Sequence, residues 1–353
     1  MKPTTEFRQL PSLTGLRWVA ALIVFLYHVR NFGYFDGPAG GVVHWAFDAG
    51  ATGVSFFFIL SGFVLAWSAR PGEPVTTFWR RRFARIYPVH LVTAALAVLL
   101  GATLVPGLLP GSGNETAANL LLISSWWPDW WQALNPVSWS LVCEAFFYLC
   151  FPLLFVLLRK GSAAWLYGIA AAAVLVVLVL PFLGLALYSF PLARLPEFVL
   201  GVALGLLVRN GCWRGPGLDV AVGVTLVGYF LTAQVPGEFR FAACTVLGFA
   251  LLLPAAAVAD VTGAPSLWRR PALVRLGEWS FAFYMVHLLV LRLAEVVLGT
   301  APRLPFWWAL TAFVTVFAVS LLLSWLLYEQ VEKPARRLLL RRWSTPRLKV
   351  VRA

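Results

Sequence analysis

From Ala163 to Phe182 the chain runs for twenty residues without one charged side chain. A helix of that length rises about 30 Å, the thickness of the hydrocarbon core of a bilayer. In water such a segment has no polar face to present, because its apolar residues are continuous and not spaced at one-sided helical intervals. Comparable apolar stretches recur along all 353 residues. Composition agrees: 12% of residues are charged and mean hydropathy is +0.81, against roughly 25% charged residues in soluble domains. The fold class read from these features is all-α, a polytopic bundle of membrane helices.

Hydropathy places about ten spans, near 12–31, 46–68, 85–105, 138–158, 163–182, 192–208, 218–234, 241–259, 277–298 and 306–328. Alternate connections then separate by charge. One set holds Arg70, Arg80, Arg81, Arg82 and Arg85, then Arg159 and Lys160, then Arg209 and Arg214, then Arg269, Arg270 and Arg275. The segment from about 330 to 353 adds Lys333, Arg336, Arg337, Arg341, Arg342, Arg347, Lys349 and Arg352. The opposite set holds chiefly Arg240 and Arg303. Positively charged connections stay in the cytoplasm, so both termini are expected there, and that requires an even number of spans. A multi-pass protein of the cell (plasma) membrane is the expected localisation.

The formal charge of +13 does not point to nucleic acid. The basic residues sit in short connections and in the tail, not on one polar face interleaved with aromatics. Cys143, Cys150, Cys212 and Cys244 lie mostly in apolar runs without metal spacing, and read as small apolar residues. No metal site is expected. The first apolar stretch lacks a small-residue cleavage site and reads as a retained helix. No connection is long enough to fold alone, so residues 1–353 are expected to form a single transmembrane domain with a basic cytoplasmic tail and no fused extracytoplasmic domain.

Ionisable residues at membrane depth are costly and mark function or mutual pairing. Arg17 and His28 lie eleven residues apart on the first helix, just over three turns, and so share a face about 16 Å apart along the axis. Histidine is the side chain suited to moving a proton near neutral pH. Ser140, Glu144 and Tyr148 form a stripe at i, i+4 and i+8 on the fourth helix. Ser280, Tyr284 and His287 form another on the ninth, with Glu278 at its entrance. Glu197 aligns with Gly201 and Gly205 on the sixth, where the glycines also suit close helix packing. Inward-facing polar stripes on several helices describe a polar cavity.

Two features have two readings each. Arg80, Arg81, Arg82 and Arg85 either report topology or bind the phosphates of an anionic cofactor. Trp126, Trp127, Trp130 and Trp131, in the connection 106–137, either form an interfacial belt or offer a stacking floor to an acceptor. No Gly-rich phosphate loop is present, which argues against a nucleoside triphosphatase or a dinucleotide-binding enzyme.

Seven motifs in order resemble those of the acyltransferase-3 family of membrane O-acyltransferases. They are Arg17 with His28 eleven positions on; Gly53 through Ser61, Gly62 and Phe63; Arg82, Arg85 and Pro88; Trp139, Ser140 and Glu144 with Tyr148 and Pro152; Arg194, Glu197 and Gly201; Gly277 through Ser280, Tyr284 and His287; and Tyr328, Glu329, Glu332, Lys333 and Pro334. The resemblance runs over essentially the full length. It implies transfer of an acyl group, commonly acetyl, from cytoplasmic acyl-coenzyme A (acetyl-CoA) to a hydroxyl. Members modify surface glycans or, in actinobacteria, macrolides and related antibiotics. In some a fused extracytoplasmic domain completes the transfer; without it, the reaction is expected within the bundle or through a separate extracytoplasmic partner.

On that basis Arg17, Arg81, Arg82 and Arg85 are expected to hold the donor's phosphates. His28 is the expected general base for the acceptor hydroxyl, with catalytic roles also for Arg17 and Glu144. Glu144 either orients His28 or neutralises Arg17. Ser140, Tyr148, Glu197, Tyr284, His287, Trp130 and Trp131 are the expected acceptor contacts. The competing class is a transporter or flippase of a lipid-linked sugar, which internal repeats and broken helices favour; no repeat is visible in the sequence.

Overall fold

A computed structural model describes residues 9–184, 188–235 and 237–343. Thirteen α-helices are found among them: α1 (Pro11–Asn31), α2 (Gly37–Phe47), α3 (Thr52–Ser68), α4 (Val75–Thr103), α5 (Gly113–Leu120), α6 (Trp139–Leu158), α7 (Ala163–Val179), α8 (Pro191–Arg209), α9 (Leu218–Leu231), α10 (Val246–Thr262), α11 (Pro271–Leu298), α12 (Phe306–Leu327) and α13 (Lys333–Trp343). The one β-type pairing among these residues is an isolated bridge between Phe35 and Leu304. The protein is an all-α polytopic membrane bundle.

Eight helical segments are long and apolar enough to cross a bilayer, and α9 and α10 supply two shorter apolar helices. Together they occupy the ten positions read from hydropathy. The boundaries differ in instructive ways. The third helix begins at Val75, directly after Pro74, and so carries Arg80, Arg81, Arg82 and Arg85 within its first turns instead of in the preceding connection. Pro271 occupies the first turn of α11, where its missing N–H costs no helical bond, and starts that helix ahead of the apolar run. The second expected span, 46–68, corresponds to a short 3-10 turn at Asp48–Ala51 and α3, and α2 extends the helical segment ahead of it to Gly37. Beyond α12 a π turn at Tyr328–Glu332 leads directly into α13, so part of the basic tail is helical. Arg347, Lys349 and Arg352 lie outside the described residues.

Close backbone contacts fix the bundle. A Cβ at Gly277 of α11 would stand 1.8 Å from the carbonyl oxygen of Thr14, and one at Gly15 of α1 would stand 2.1 Å from that of Trp268. The same device locks α3 to α8: a Cβ at Gly201 would lie 1.9 Å from the Ile59 oxygen, and one at Gly62 would lie 2.1 Å from the Phe198 oxygen. Small residues of this kind let membrane helices approach where no hydrophobic driving force separates protein from lipid.

Polar anchors complete the positioning. At the arginine-rich end, the Ser12 backbone N–H and hydroxyl both donate to the Asp260 carboxylate, at 2.8 and 2.7 Å, and Arg269 approaches the same carboxylate at 3.5 Å. At the opposite end Asn119 Nδ2 donates to the Ala133 carbonyl and to Ser138 Oγ, both at 2.8 Å, and Asn135 Nδ2 donates to the Met285 carbonyl at 2.7 Å. The connection before α6 is thereby tied to α11. Arg30, beyond the reach of the charge count over connections, pairs with Asp48 at 2.6 Å, and Arg240 approaches Asp48 at 3.4 Å.

Gly201→Leu is expected to overpack a contact whose other side is backbone and cannot rotate away, at a cost of about 3 kcal/mol or more. Detergent-solubilised variant should melt several degrees below wild type in a thermal-unfolding assay. Equal melting temperatures would contradict the close α3–α8 contact.

Candidate active site

Because α1 packs on α11, and α3 lies between α1 and α8, the polar stripes of α1, α6 and α11 converge. They line a cavity of about 380 Å³. Arg81, Arg82 and Arg85 of α4 and Arg336 of α13 stand at its basic end, and Arg17 of α1 lines it as well. Glu144 and Tyr148 of α6 follow, then Ser140, Ser280 and Tyr284, while Phe57, Phe58 and Ser61 of α3 form another wall. Five arginines therefore face a single lining carboxylate. A concave chamber with convergent polar groups is the form small-molecule sites take, and here those groups are mainly cationic.

The charges inside are unequally matched. Arg85 pairs with Glu332, which is buried, and Arg81 pairs with Glu73. Among the described residues no carboxylate lies within ion-pair distance of Arg17 or Arg82; Glu332 and Glu144 attract Arg17 only from farther away. The Arg82 guanidinium lies 5.7 Å over the Phe78 ring, and its Nε is buried without a hydrogen-bond partner. Tyr148 Oη donates to Glu144 Oε2 at 3.0 Å. Unpaired guanidinium groups at membrane depth are expensive, and an anion entering the chamber relieves that cost.

One helical turn beyond Tyr284 lies a pair of histidines. His287 Nε2 and His28 Nδ1 are 3.0 Å apart. His287 Nδ1 faces the Tyr284 carbonyl at 2.8 Å and that of Phe283 at 3.2 Å. His28 Nδ1 also faces the Val24 carbonyl at 3.0 Å. Carbonyls only accept, so with both rings neutral each Nδ1 carries the proton. His287 Nε2 then accepts from His28 Nδ1–H, and the lone pair of His28 Nε2 is left for another partner. This tautomer assignment follows from the hydrogen-bond network.

The expected site residues thus fall into three groups. Arg17, Arg81, Arg82, Arg85, Ser140, Glu144, Tyr148 and Tyr284 share the cavity. His28 and His287 sit together beyond Tyr284, whose ring centroid is 5.9 Å from that of His287. Glu144 bonds to Tyr148 and His28 bonds to His287, so the group orienting His28 is the second histidine, which hydropathy and spacing on single helices do not pair with it. Glu197 and the tryptophans lie elsewhere. Glu197 pairs with Arg194 at 3.2 Å beside a separate cavity of about 40 Å³. Trp130 stacks on Trp127 at 4.9 Å, and Trp131 packs against Trp139 and Tyr188 at 6.4 and 6.2 Å. None of these three lines the arginine cavity.

A model for an acyltransferase domain, acyltransferase-3, matches residues 10–329. The chain belongs to that family. Acyltransferase MdmB of Streptomyces mycarofaciens is 41% identical over 95% of this chain and 93% of its own length. Peptidoglycan O-acetyltransferase OatA of Listeria monocytogenes is 29% identical over a segment covering 43% of this chain and 25% of OatA. O-acetyltransferase OatA of Staphylococcus aureus is 30% identical over 41% of this chain and 24% of its own. No solved structure matches. The protein is a multi-pass membrane O-acyltransferase. Phe57, Phe58 and Ser61 come from the motif that runs from Gly53 to Phe63, whereas Arg336 is a lining residue that the sequence motifs did not single out; it follows the Glu-Lys-Pro motif by two residues, and that proximity is the signal that was available.

Removing the charge of Arg85 should leave Glu332 buried and uncompensated. Loss of one partner from such a pair costs about 3 kcal/mol. Arg85→Gln should therefore lower the melting temperature in detergent, and adding Glu332→Gln should restore most of it. A double variant no more stable than the single one would show that the pair is energetically silent.

Proposed function

We propose that this acyltransferase takes its acyl group, acetyl in the simplest case, from acyl-coenzyme A at the cytoplasmic face of the plasma membrane and transfers it to a hydroxyl of a carbohydrate or macrolide-like acceptor. The observation that carries the reading is the arginine-lined cavity leading from the basic end of the bundle towards the histidine pair. Arg81, Arg82, Arg85 and Arg17 hold the donor's phosphates, since guanidinium groups bind them through paired, charge-assisted hydrogen bonds. The acyl-pantetheine arm follows Arg17, Glu144 and Tyr148 towards Tyr284, where the lining turns apolar and aromatic.

His28 Nε2 removes the proton from the acceptor hydroxyl. The oxygen forms a bond to the thioester carbonyl carbon, the carbon–sulfur bond breaks, and the imidazolium returns the proton to the departing thiolate. His287 holds His28 in the tautomer that leaves Nε2 basic. Glu144, bonded to Tyr148, balances the charge of Arg17 within the chamber. Likeness over nearly the whole chain to a Streptomyces acyltransferase supports acyl transfer by a protein of this extent, and the partial likeness to peptidoglycan O-acetyltransferase OatA supports a glycan acceptor. The tryptophans around Trp131 and Trp139, at the end opposite the arginines, suit such an acceptor's approach.

Purified protein in detergent, given labelled acetyl-CoA and candidate acceptors, should release free thiol only when an acceptor is present. Movement of acceptor across a vesicle membrane without covalent change would support a transporter instead. His28→Ala should reduce transfer by about 10²-fold or more while membrane insertion is retained; a wild-type rate in that variant removes His28 from the mechanism. His287→Ala should lower kcat more than it raises the donor's KM, because it disturbs the base and not the phosphate contacts. The opposite split would assign His287 to donor binding.

A further inference from the structure

A second cavity, of about 150 Å³, adjoins the first at the basic end and shares Leu65, Arg81 and Arg82 with it. Beyond that shared wall its lining carries two more arginines, Arg70 and Arg159, and an aromatic floor. Phe78 stacks on Phe151 at 5.1 Å and Phe151 on Phe155 at 5.7 Å; the Phe155 ring is half-buried at the end of the row, with the Arg209 guanidinium 5.9 Å from its centroid, so a base there meets a ring and a cation together. Arg70 sits in a tight turn that Gly72 permits with its φ of +80°. Glu73 is the one carboxylate of the lining and is already paired with Arg81, so the chamber keeps an excess of three positive charges over four arginines. Among the described residues neither Arg70 nor Arg159 makes an ion pair.

Topology alone does not require this arrangement. Positive-inside charges serve equally well when dispersed over connections, whereas these converge on a concavity with stacked rings and with the Nε atoms of Arg81 and Arg82 buried and unpartnered on the wall between two chambers. A ligand matching both chambers has anionic groups at its middle, a thin arm on one side, and on the other an aromatic base with a further anionic group.

We infer that the second cavity is a nucleotide subsite, in which Arg70 and Arg159 receive the 3′-phosphate of the donor's adenosine and the Phe155 end of the aromatic row receives its base. This rests on the reading of acyl-coenzyme A as donor. Arg81 and Arg82 then bridge the diphosphate, and the arm enters the larger cavity. Phosphate contacts from guanidinium are charge-assisted, and the planar ring offers the base a face to stack on.

The first test needs no variant. Initial rates with acetyl-CoA and with acetyl-3′-dephospho-CoA are measured on the full-length protein in detergent. The KM for the dephosphorylated donor should be higher by roughly tenfold or more, with kcat little changed. Arg70→Gln and Arg159→Gln should each reduce that discrimination, and the double variant should bring it close to one. Melting curves establish that the variants are folded. Equal KM values for the two donors in wild type, or full discrimination in the folded double variant, overturn the subsite while leaving coenzyme-A-dependent transfer standing. Absence of transfer from either donor, with transfer from another thioester, removes the donor reading and the subsite together.

Discussion

The approach of α1 to α11 is the constraint on which the site depends. Gly277 of α11 faces the Thr14 carbonyl of α1, and Gly15 of α1 faces the carbonyl of Trp268 in the turn just ahead of α11, each at a distance that admits no side chain. With the helices this close, the face of α1 bearing Arg17 and His28 meets the face of α11 bearing Ser280, Tyr284 and His287. Arg17 falls into the chamber near the basic end and the two imidazoles meet at 3.0 Å. A wider interhelical spacing would separate the rings and leave the Val24 carbonyl as the remaining partner of His28 Nδ1. The glycines thus act at a distance: they bring together two imidazoles that lie roughly three turns further along each helix.

Electrostatics orders the other end. Lipid offers no water to solvate a guanidinium, so buried arginines must find carboxylates, aromatic faces or ligands. The bundle supplies carboxylates to Arg85, Arg81 and Arg194, and a ring to Arg82. It supplies less than the chamber needs. The remaining positive charge favours an anion, and because Arg81 and Arg82 stand on the wall between two cavities, an anion bound between them would sit at a junction and not at a dead end.

Much of this was legible in the sequence. Uninterrupted apolar runs fixed the helices because a bilayer tolerates no unsatisfied backbone, and the ten positions follow. Arg17, Glu144, Tyr148 and Tyr284 were legible as site candidates because each is polar on an otherwise apolar helix face. Less legible were relations between helices. Periodicity on α1 says that Arg17 and His28 share a face, but not that His287, 259 residues later, is the neighbour of His28. Glu197 shows the same limit: a buried carboxylate reads alike whether it lines the arginine chamber or, beside the guanidinium of Arg194 one turn earlier, a separate small cavity. The start of α4 was misplaced because hydropathy registers the arginines of its first turns as a connection, although arginine is a good helix former.

On the proposed reading, the two ends of the bundle perform different physical tasks. At the basic end, specificity for a donor arises from charge, which acts over several ångströms and tolerates imprecise placement. Towards the histidine pair, the lining gives way to Phe57, Ser140 and Tyr284, and selection passes to shape and hydrogen bonding at contact distance. Acyl transfer needs both in series: a strongly bound, highly charged carrier that stays at the membrane surface, and a neutral reacting carbonyl delivered to a base in a dry environment. A thioester arm is the part of such a carrier that is neutral enough to enter the bundle. On the proposed reading, the arginines of α4, α1 and α13 keep the charged part behind, so that the thioester is the part that reaches towards His28.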